Sequence, residues 1–304
     1  MIQILLLDLG DTLIRDNVLL PNVVEALTAL GGFKTAAGEP LAMALVSDYK
    51  MPAPPPTDAK VKALFVEYLK LLDTFGLRSF FEPASQHVTL STHAGVFKPD
   101  KRIFETALKR LAKPIDLARC LFITENAGHI AAAKALGMQA LRFDADGAQG
   151  ADFDDWSVAP LLVARLVTPN DTQNLQRALK TYLAIREDLD LMSLERAPDG
   201  TTVHVQVRSA YPLSAPNLGE LDGVRVSLPL HGTLQLGDNG LVRSLEWQQP
   251  SDEELAEAAH FVQTLVANKS VSTTPDEILP DATHQVEIGA DGTKTLKRKR
   301  FSAL

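Results

Sequence analysis

Cysteine is nearly absent from this sequence, because Cys120 is the single cysteine in 304 residues. One thiol excludes an intrachain disulfide, and a chain without disulfides is typical of a reducing compartment. Cys120 begins the apolar run Cys120–Ile123, where a thiol behaves as a small hydrophobic side chain. We therefore interpret Cys120 as a core residue and not as a nucleophile.

Long apolar runs are also missing. No stretch of the sequence approaches the ~18 consecutive apolar residues that a membrane-spanning helix requires. The first residues, Met1–Asp8, have neither the basic start nor the apolar length of a signal peptide. We therefore expect a cytoplasmic protein without a membrane partner.

Positive charge is in short supply, since 30 Lys and Arg stand against 38 Asp and Glu and give a net charge of −8. Nucleic-acid binding needs a basic surface that displaces counterions, so the charge balance argues against a nucleic-acid partner. The basic run Lys297–Arg300 is an exception. It lies in an alternating pattern near the C-terminus, where lysines commonly protect the edge of a sheet, and we interpret it as an edge strand.

Residues 1–146 alternate short apolar runs with amphipathic stretches. This alternation predicts right-handed crossovers and a Rossmann-like parallel sheet with helices on both faces, in which ligands bind beyond the carboxyl ends of the strands. The predicted strands are Ile2–Leu7, Leu41–Val46, His87–Leu90, Cys120–Thr124 and Gln139–Phe143, and the predicted helices are Val23–Leu30, Val61–Thr74, Arg102–Leu111 and Ile130–Leu136.

The pattern changes after residue 146. Residues 147–157 are rich in Gly, Ala and Asp and predict a linker, and residues 158–304 predict an α+β domain with a mainly antiparallel sheet. No motif that carries chemistry is recognisable in this second half, so its role is not predicted. The expected elements are the helices Thr172–Arg186 and Asp252–Ala267 and three hairpins that turn at Asp199-Gly200, Asn239-Gly240 and Asp291-Gly292.

Polar residues follow the predicted strands of the first half. Asp8 directly follows the first strand and can act as a nucleophile, while Thr12 can donate a hydrogen bond from the same turn. Ser47 ends the second strand and can bind a phosphoryl oxygen, and Lys98 can neutralise charge on the transferred group. Glu125 follows the fourth strand and can share Mg²⁺ with Asp8. The spacing predicts one phosphate-type site.

On these residues the first half resembles the haloacid dehalogenase (HAD) superfamily of phosphohydrolases. The resemblance covers nearly all of residues 1–146 and none of the remainder. It implies an aspartyl-phosphate formed on Asp8, and a Mg²⁺ ion held by Asp8, the carbonyl group of Gly10 and Glu125. The four motifs occur in the expected order, as the aspartate turn Asp8–Leu13, the strand end Ala44–Ser47, the lysine loop Gly95–Phe104 and the acidic strand end Phe122–His129.

The sequence departs from the family at several positions. Gly10 stands where phosphatases of the family carry the aspartate that acts as general acid and base, a loss of about 10²–10⁴ in rate. Asp11 is adjacent but points elsewhere if the turn keeps its shape. Thr124–Glu125 replaces a Gly-Asp pair, His129 stands at the next acidic position, and Asp48 stands where asparagine is common. Whether Asp11 or His129 compensates stays undecided at this stage.

Three functions are compatible with this pattern. The leading hypothesis is a Mg²⁺-dependent phosphohydrolase that acts on a phosphorylated small molecule or macromolecule. The alternative is a catalytically inactive HAD scaffold that serves binding or regulation, with a protein partner bound by the C-terminal domain. A carbon–halogen hydrolase is third, because such relatives also lack the second aspartate but enclose substrate under a cap. The short stretch between Asp8 and Ser47 predicts a minimal cap or none, and the C-terminal domain is a candidate cover.

Overall fold

The computed structural model describes residues 1–112, 115–169, 171–214, 218–272 and 281–299. The chain divides into two compact units. The first comprises Met1–Glu187 with Asp238–Leu241, and the second comprises Asp188–Gly237 with Val242–Leu304. Every helix within the described ranges is too short or too polar to cross a membrane.

The strands of the first unit confirm the predicted parallel sheet. Each predicted strand is present, with ends that agree within two residues. The strands are β1 (Ile4–Leu7), β2 (Ile14–Arg15), β3 (Val18–Leu19), β4 (Ala42–Ser47), β5 (Val88–Leu90), β6 (Cys120–Thr124) and β7 (Gln139–Arg142). Five of them form a parallel sheet in the order β5-β4-β1-β6-β7, and β2 pairs with β3 in a short hairpin.

Helices connect these strands. They are α1 (Val23–Gly31), α2 (Asp58–Thr74), α3 (Ala84–His87), α4 (Ser91–Ala94), α5 (Lys101–Arg110), α6 (Ala127–Ala135), α7 (Ala159–Val167) and α8 (Thr172–Arg186). Helices α2 and α6 begin about one turn before the predicted start, because each has a polar N-cap. The Thr57 side chain accepts a hydrogen bond from the Lys60 amide, and the Asn126 side chain accepts from the amides of Gly128 and His129.

Both faces of the central strand β1 are buried. Ile4 and Leu6 are fully buried in a core cluster that also contains Phe104 of α5 and Phe122 of β6. Leu5 and Leu7 alternate to the opposite face and are 0% exposed as well. A strand buried on both faces has a continuous apolar sequence, which is why β1 is easily recognised.

The segment predicted as a linker, 147–157, packs on the first unit instead of leaving it. Phe143 and Phe153 form a β-bridge, and the ring of Trp156 lies 5.8 Å from that of Phe143 and 5.5 Å from that of Phe153. The Gly- and Asp-rich turns therefore return the chain to the sheet, and α7 and α8 belong to the first unit. This corrects the expected start of the second domain at residue 158.

The second unit has a mixed, mainly antiparallel sheet, as predicted. Its strands are β8 (Asp190–Arg196), β9 (Thr202–Pro212), β10 (Arg225–Leu236), β11 (Val242–Trp247), β12 (Val271–Ser272), β13 (His284–Ile288) and β14 (Lys294–Arg298), with one helix among the described residues of this unit longer than a single turn, α9 (Asp252–Ala267). The order is β12-β13-β14-β10-β9-β8, and β11 also pairs with β10. The three hairpins turn at the predicted Asp-Gly and Asn-Gly pairs, and Ser251 and Glu254 form a capping box at the start of α9.

The interpretation of the basic run as an edge strand needs correction. Strand β14 lies between β13 and β10 in the sheet order, because Thr295 pairs with Arg225 of β10. Lys297 lies beyond that pair and its ammonium group contacts Glu287 of β13 at 2.6 Å. Cross-strand charge pairing therefore contributes to the placement of this lysine, in a part of β14 whose described strand partner is β13. Arg300 and Phe301, the end of the predicted hairpin, lie outside the described residues.

Candidate functional site

The parallel register brings the carboxyl ends of three neighbouring strands together. Leu7 of β1 is aligned with Leu45 of β4 and with Ile123 of β6. The next residue, Asp8, donates its amide hydrogen to the Ile123 carbonyl at 3.0 Å. Asp8 therefore extends just past the sheet, with Ser47 ending the strand on one side and β6 ending on the other. This is the edge at which the sequence predicts a ligand site.

The carboxylate of Asp8 is buried and held from three directions. Its Oδ2 atom forms an ion pair with the ammonium group of Lys98, and the two side chains are 8% and 1% exposed. The Thr124 hydroxyl donates to the same oxygen at 2.9 Å, and the Leu9 amide donates to Oδ1 at 2.8 Å. A buried charge is stable in a protein only when it is paired and hydrogen-bonded in this way.

Lys98 is placed by its main chain. The loop that carries it follows α4 and turns at Gly95, which has a φ of 69°, a conformation that glycine adopts without strain. The Lys98 amide donates to the Asp48 carboxylate at 2.9 Å, and its ammonium group lies 5.8 Å from the centre of the Phe122 ring. The negative charge of Asp48, unusual at this motif position, therefore anchors the lysine loop.

The Thr12 hydroxyl makes two hydrogen bonds, and both are to Glu125. Its Oγ1 atom donates to Glu125 Oε2 at 2.7 Å and accepts from the Glu125 amide at 3.1 Å. The Thr12 carbonyl accepts a hydrogen bond from the buried Trp156 indole at 2.8 Å. Thr12 thus holds the acidic strand end in place, while the Thr124 hydroxyl proton is left for Asp8.

Position 10 carries no side chain and position 11 points away from the cluster. A Cβ atom on Gly10 would meet nothing within 4 Å, so the backbone there leaves room for a side chain to begin. Asp11 has a φ of 50°, and its exposed carboxylate faces the Arg15 guanidinium at 3.9 Å. Asp11 therefore does not supply the missing acid in this arrangement.

His129 borders the cluster from the first turn of α6. Burial lowers the pKa of His129 and the positive charge of Lys98 lowers it further, against the opposing effects of Asp8, Asp48 and Glu125. Its Nδ1 atom is buried and has no hydrogen-bond partner within the described part of the chain. The ring is therefore a neutral group at neutral pH, with an unused nitrogen.

The donor set for a metal consists of oxygen atoms. Thr124 Oγ1 lies 2.9 Å from Asp8 Oδ2 and 3.0 Å from Glu125 Oε2, so the two carboxylates approach the same hydroxyl oxygen. Carboxylate and carbonyl oxygens are the donors that Mg²⁺ prefers, and Mg²⁺ commonly keeps several waters. Considering the described residues only, no cluster of three or more His, Cys, Asp or Glu side chains could hold a metal. The residues fit a Mg²⁺ ion bound by few protein ligands.

Several contributors to the cluster carried no clear signal in the sequence. Thr124 was noticed only as a replacement for glycine, although its hydroxyl contacts Asp8. The sequence gives no signal for the hydrogen bond from the Trp156 indole to the Thr12 turn. Tyr68 of α2 is 1% exposed, and the available signal was a polar aromatic residue at helical spacing from the buried Leu72.

Comparison with known proteins gives structural neighbours only. No family model matches the chain, and no curated protein matches it. The HAD-hydrolase YfnB from Bacillus subtilis bound to magnesium is 14% identical over 50% of this chain and 57% of its own, with a TM-score of 0.35. The L-2-haloacid dehalogenase from Xanthobacter autotrophicus with chloropropionic acid covalently bound is 22% identical over 54% and 52%, with a TM-score of 0.30.

A haloacid dehalogenase-like hydrolase from Streptococcus pneumoniae is 15% identical over 44% of this chain and 54% of its own, with a TM-score of 0.28. The matched region thus spans little more than half the length of each of these proteins. These three neighbours are described as HAD or haloacid dehalogenase-type hydrolases, and each match covers about half of this chain. At these identities they carry no information on substrate or activity.

Proposed function

We propose that the first unit is a HAD-type hydrolase that acts on phosphate esters through a covalent intermediate on Asp8. The observation that carries the proposal is the buried ion pair of Asp8 with Lys98 beside Ser47, at the carboxyl edge of a parallel sheet. Thr124 and the Leu9 amide fix the orientation of the carboxylate. A nucleophile held in one orientation loses little freedom on reaction, which lowers the barrier.

The reaction proceeds in two displacements at phosphorus. A carboxylate oxygen of Asp8 attacks phosphorus, the bond from phosphorus to the ester oxygen breaks, and the phosphoryl group remains on Asp8. Lys98 and Ser47 stabilise the negative oxygens of that group during the transfer. Water then attacks phosphorus, inorganic phosphate leaves, and the Asp8 carboxylate is restored. Mg²⁺, held by Asp8, Glu125 and the Gly10 carbonyl, would supply further positive charge against the phosphate.

Gly10 limits the substrates of this reaction. No side chain at position 10 can protonate the departing oxygen or take a proton from the attacking water, so both protons are exchanged with solvent. A leaving group that is a weak base, such as a phenolate or a carboxylate, departs without protonation. The proposed substrates are therefore aryl or acyl phosphates in preference to alkyl phosphates.

A phosphate-binding scaffold without turnover is the second candidate function. It is favoured by the engagement of Glu125, a proposed metal ligand, whose Oε2 atom already accepts a hydrogen bond from the Thr12 hydroxyl at 2.7 Å. In this case the first unit binds a phosphorylated ligand, and the second unit binds a protein partner. The scaffold predicts stabilisation by inorganic phosphate without product formation.

Hydrolysis of p-nitrophenyl phosphate with Mg²⁺ or with a chelator distinguishes the candidates. The hydrolase predicts metal-dependent release of nitrophenol that disappears in Asp8→Asn, and full activity in that variant would refute Asp8 as the nucleophile. A turnover of ~1–10³ s⁻¹ excludes the inactive scaffold. Halide release from 2-chloropropionate, measured in parallel, would instead indicate the carbon–halogen hydrolase.

A further inference from the structure

Tyr68 carries a buried hydroxyl that the proposed reaction does not use. The side chain comes from α2, is 1% exposed, and packs edge-to-face on Tyr49 with 5.1 Å between ring centres. Its hydroxyl makes no hydrogen bond of normal geometry with the residues that the structure describes, although the Ser47 side chain is near enough to act on it. Buried polar side-chain atoms are nearly always partnered, so this hydroxyl is an unused donor within the described part of the chain.

The unused donor lies within the influence of the Asp8 cluster. Burial raises the pKa of Tyr68, the Ser47 side chain lowers it in part, and the negative charge of Asp8 raises it again. The phenol therefore keeps its proton, and it would be stabilised by donating this proton in a hydrogen bond. Ser47, Asp8 and Tyr49 are the polar groups that act on it.

Ser47 is held loosely in the same region. Its hydroxyl donates to the Asp48 carbonyl with 3.4 Å between the two oxygens. Ordinary O–H···O hydrogen bonds have oxygen separations of about 2.5–3.0 Å. The Ser47 proton is therefore free to turn towards a better acceptor, and 4% exposure of the residue keeps it out of bulk water.

We infer that Tyr68 is a positioning residue that aims the Ser47 hydroxyl at a tetrahedral oxyanion. When a phosphate oxygen accepts a hydrogen bond from the Ser47 hydroxyl, this hydroxyl no longer donates to the Asp48 carbonyl. Ser47 Oγ then accepts a hydrogen bond from the Tyr68 hydroxyl. Each hydroxyl of this relay then has a partner, which neither has at normal length in the free protein. The inference rests on the proposed function, because it requires the Asp8 cluster to bind an oxyanion.

Tyr68→Phe tests the relay, because it removes the hydroxyl and keeps the ring. Binding of inorganic phosphate and of orthovanadate to the full chain is measured by calorimetry, and melting is followed without ligand. The variant should melt at the same temperature as the wild type or higher, because an unpartnered buried hydroxyl is lost. It should bind both anions about threefold to tenfold more weakly. Tyr182→Phe, the same change in α8, is the matched control and should bind as the wild type does.

A double-mutant cycle with Ser47→Ala separates positioning from a general structural effect. If Tyr68 acts through Ser47, Tyr68→Phe should weaken binding in the wild type but not in the Ser47→Ala background. Equal binding by Tyr68→Phe and the wild type, or an equal loss in both backgrounds, would overturn the relay and leave the proposed function standing. A wild type that binds neither anion would overturn the proposed function and the relay with it.

Discussion

Exchanging the residues at positions 10 and 11 tests whether the missing acid sets the substrate preference of the proposed hydrolase. A Cβ atom at Gly10 meets nothing within 4 Å, so we expect an aspartate to be accepted there. Asp11 has a φ of 50°, in the left-handed region that favours glycine. The double variant Gly10→Asp/Asp11→Gly keeps the composition and the net charge of the chain. It changes only which of the two positions carries the carboxylate.

The double variant should have a large effect on the reaction rate and a small effect on the free energy of unfolding. A positioned general acid contributes about 10²–10⁴ in rate, and this gain should appear for alkyl phosphates, whose leaving groups need a proton. Gly10→Asp reduces the entropy of the unfolded chain by ~0.4–1 kcal/mol, and Asp11→Gly restores a similar freedom. The lost contact of Asp11 with Arg15 is 3.9 Å long and exposed to solvent, so its loss should change stability little. The free energy of unfolding should therefore change by less than about 1 kcal/mol.

The assay compares phosphate release from ethyl phosphate and phenyl phosphate by wild type and double variant. Gly10→Asn/Asp11→Gly is the matched control, because its amide has the size of the carboxyl group but is no general acid. The ratio of the alkyl to the aryl rate should rise in the aspartate variant alone. A variant that melts as the wild type does and shows no rise in that ratio would refute the reasoning about position 10.

Three further predictions concern stability measured by denaturant titration. Lys98→Met leaves the buried Asp8 carboxylate unpaired, so the free energy of unfolding should fall by about 3–5 kcal/mol, with partial recovery when Asp8→Asn is added; an unchanged stability would contradict the buried pair. Trp156→Phe removes the indole donor from the Thr12 carbonyl and should lower stability by about 1–3 kcal/mol, and a neutral result would mean that water replaces the indole. Burial lowers the pKa of His93 to about 4, so the unfolded chain binds this proton from about pH 6.5 downwards while the folded chain does not. The contribution of His93 to the free energy of unfolding is complete above pH 6.5. As the pH falls towards 4, this contribution is lost, which lowers the free energy of unfolding by about 1–2 kcal/mol after solvent screening. In His93→Gln this part of the pH dependence should disappear, and an unaltered slope would assign it to other groups.

The parallel sheet and the residues at its edge were predictable because their signals are local. Strand β1 is a continuous apolar run that stops at Asp8, and β4 stops in the same way at Ser47. Alternation with helices then determines that these ends lie on one edge. The hydroxyl of Thr124 was not predictable, because its contact with Asp8 depends on the register of β6 against β1.

The division of the chain was harder to predict for a related reason. Helix α7 is buried on nearly every side, from Ala159 to Val167, so it lacks the period that distinguishes an amphipathic helix. The preceding turns have the composition of a linker, and only the packing of Phe153 and Trp156 on Phe143 shows that they belong to the first unit. Such contacts join residues that are distant in sequence.

The bond between Trp156 and Thr12 also has a consequence for synthesis of the protein. The two residues are 144 positions apart, and at ribosomal rates of ~5–20 residues per second the indole follows the turn by roughly 7–30 s. During that interval Glu125, which bonds the Thr12 hydroxyl, is made, but the Thr12 carbonyl still lacks its indole donor. The turn that follows the proposed nucleophile is therefore among the first segments made, but it gains this hydrogen bond only after Trp156 has been added. A fragment that stops at residue 146 would lack the bond permanently.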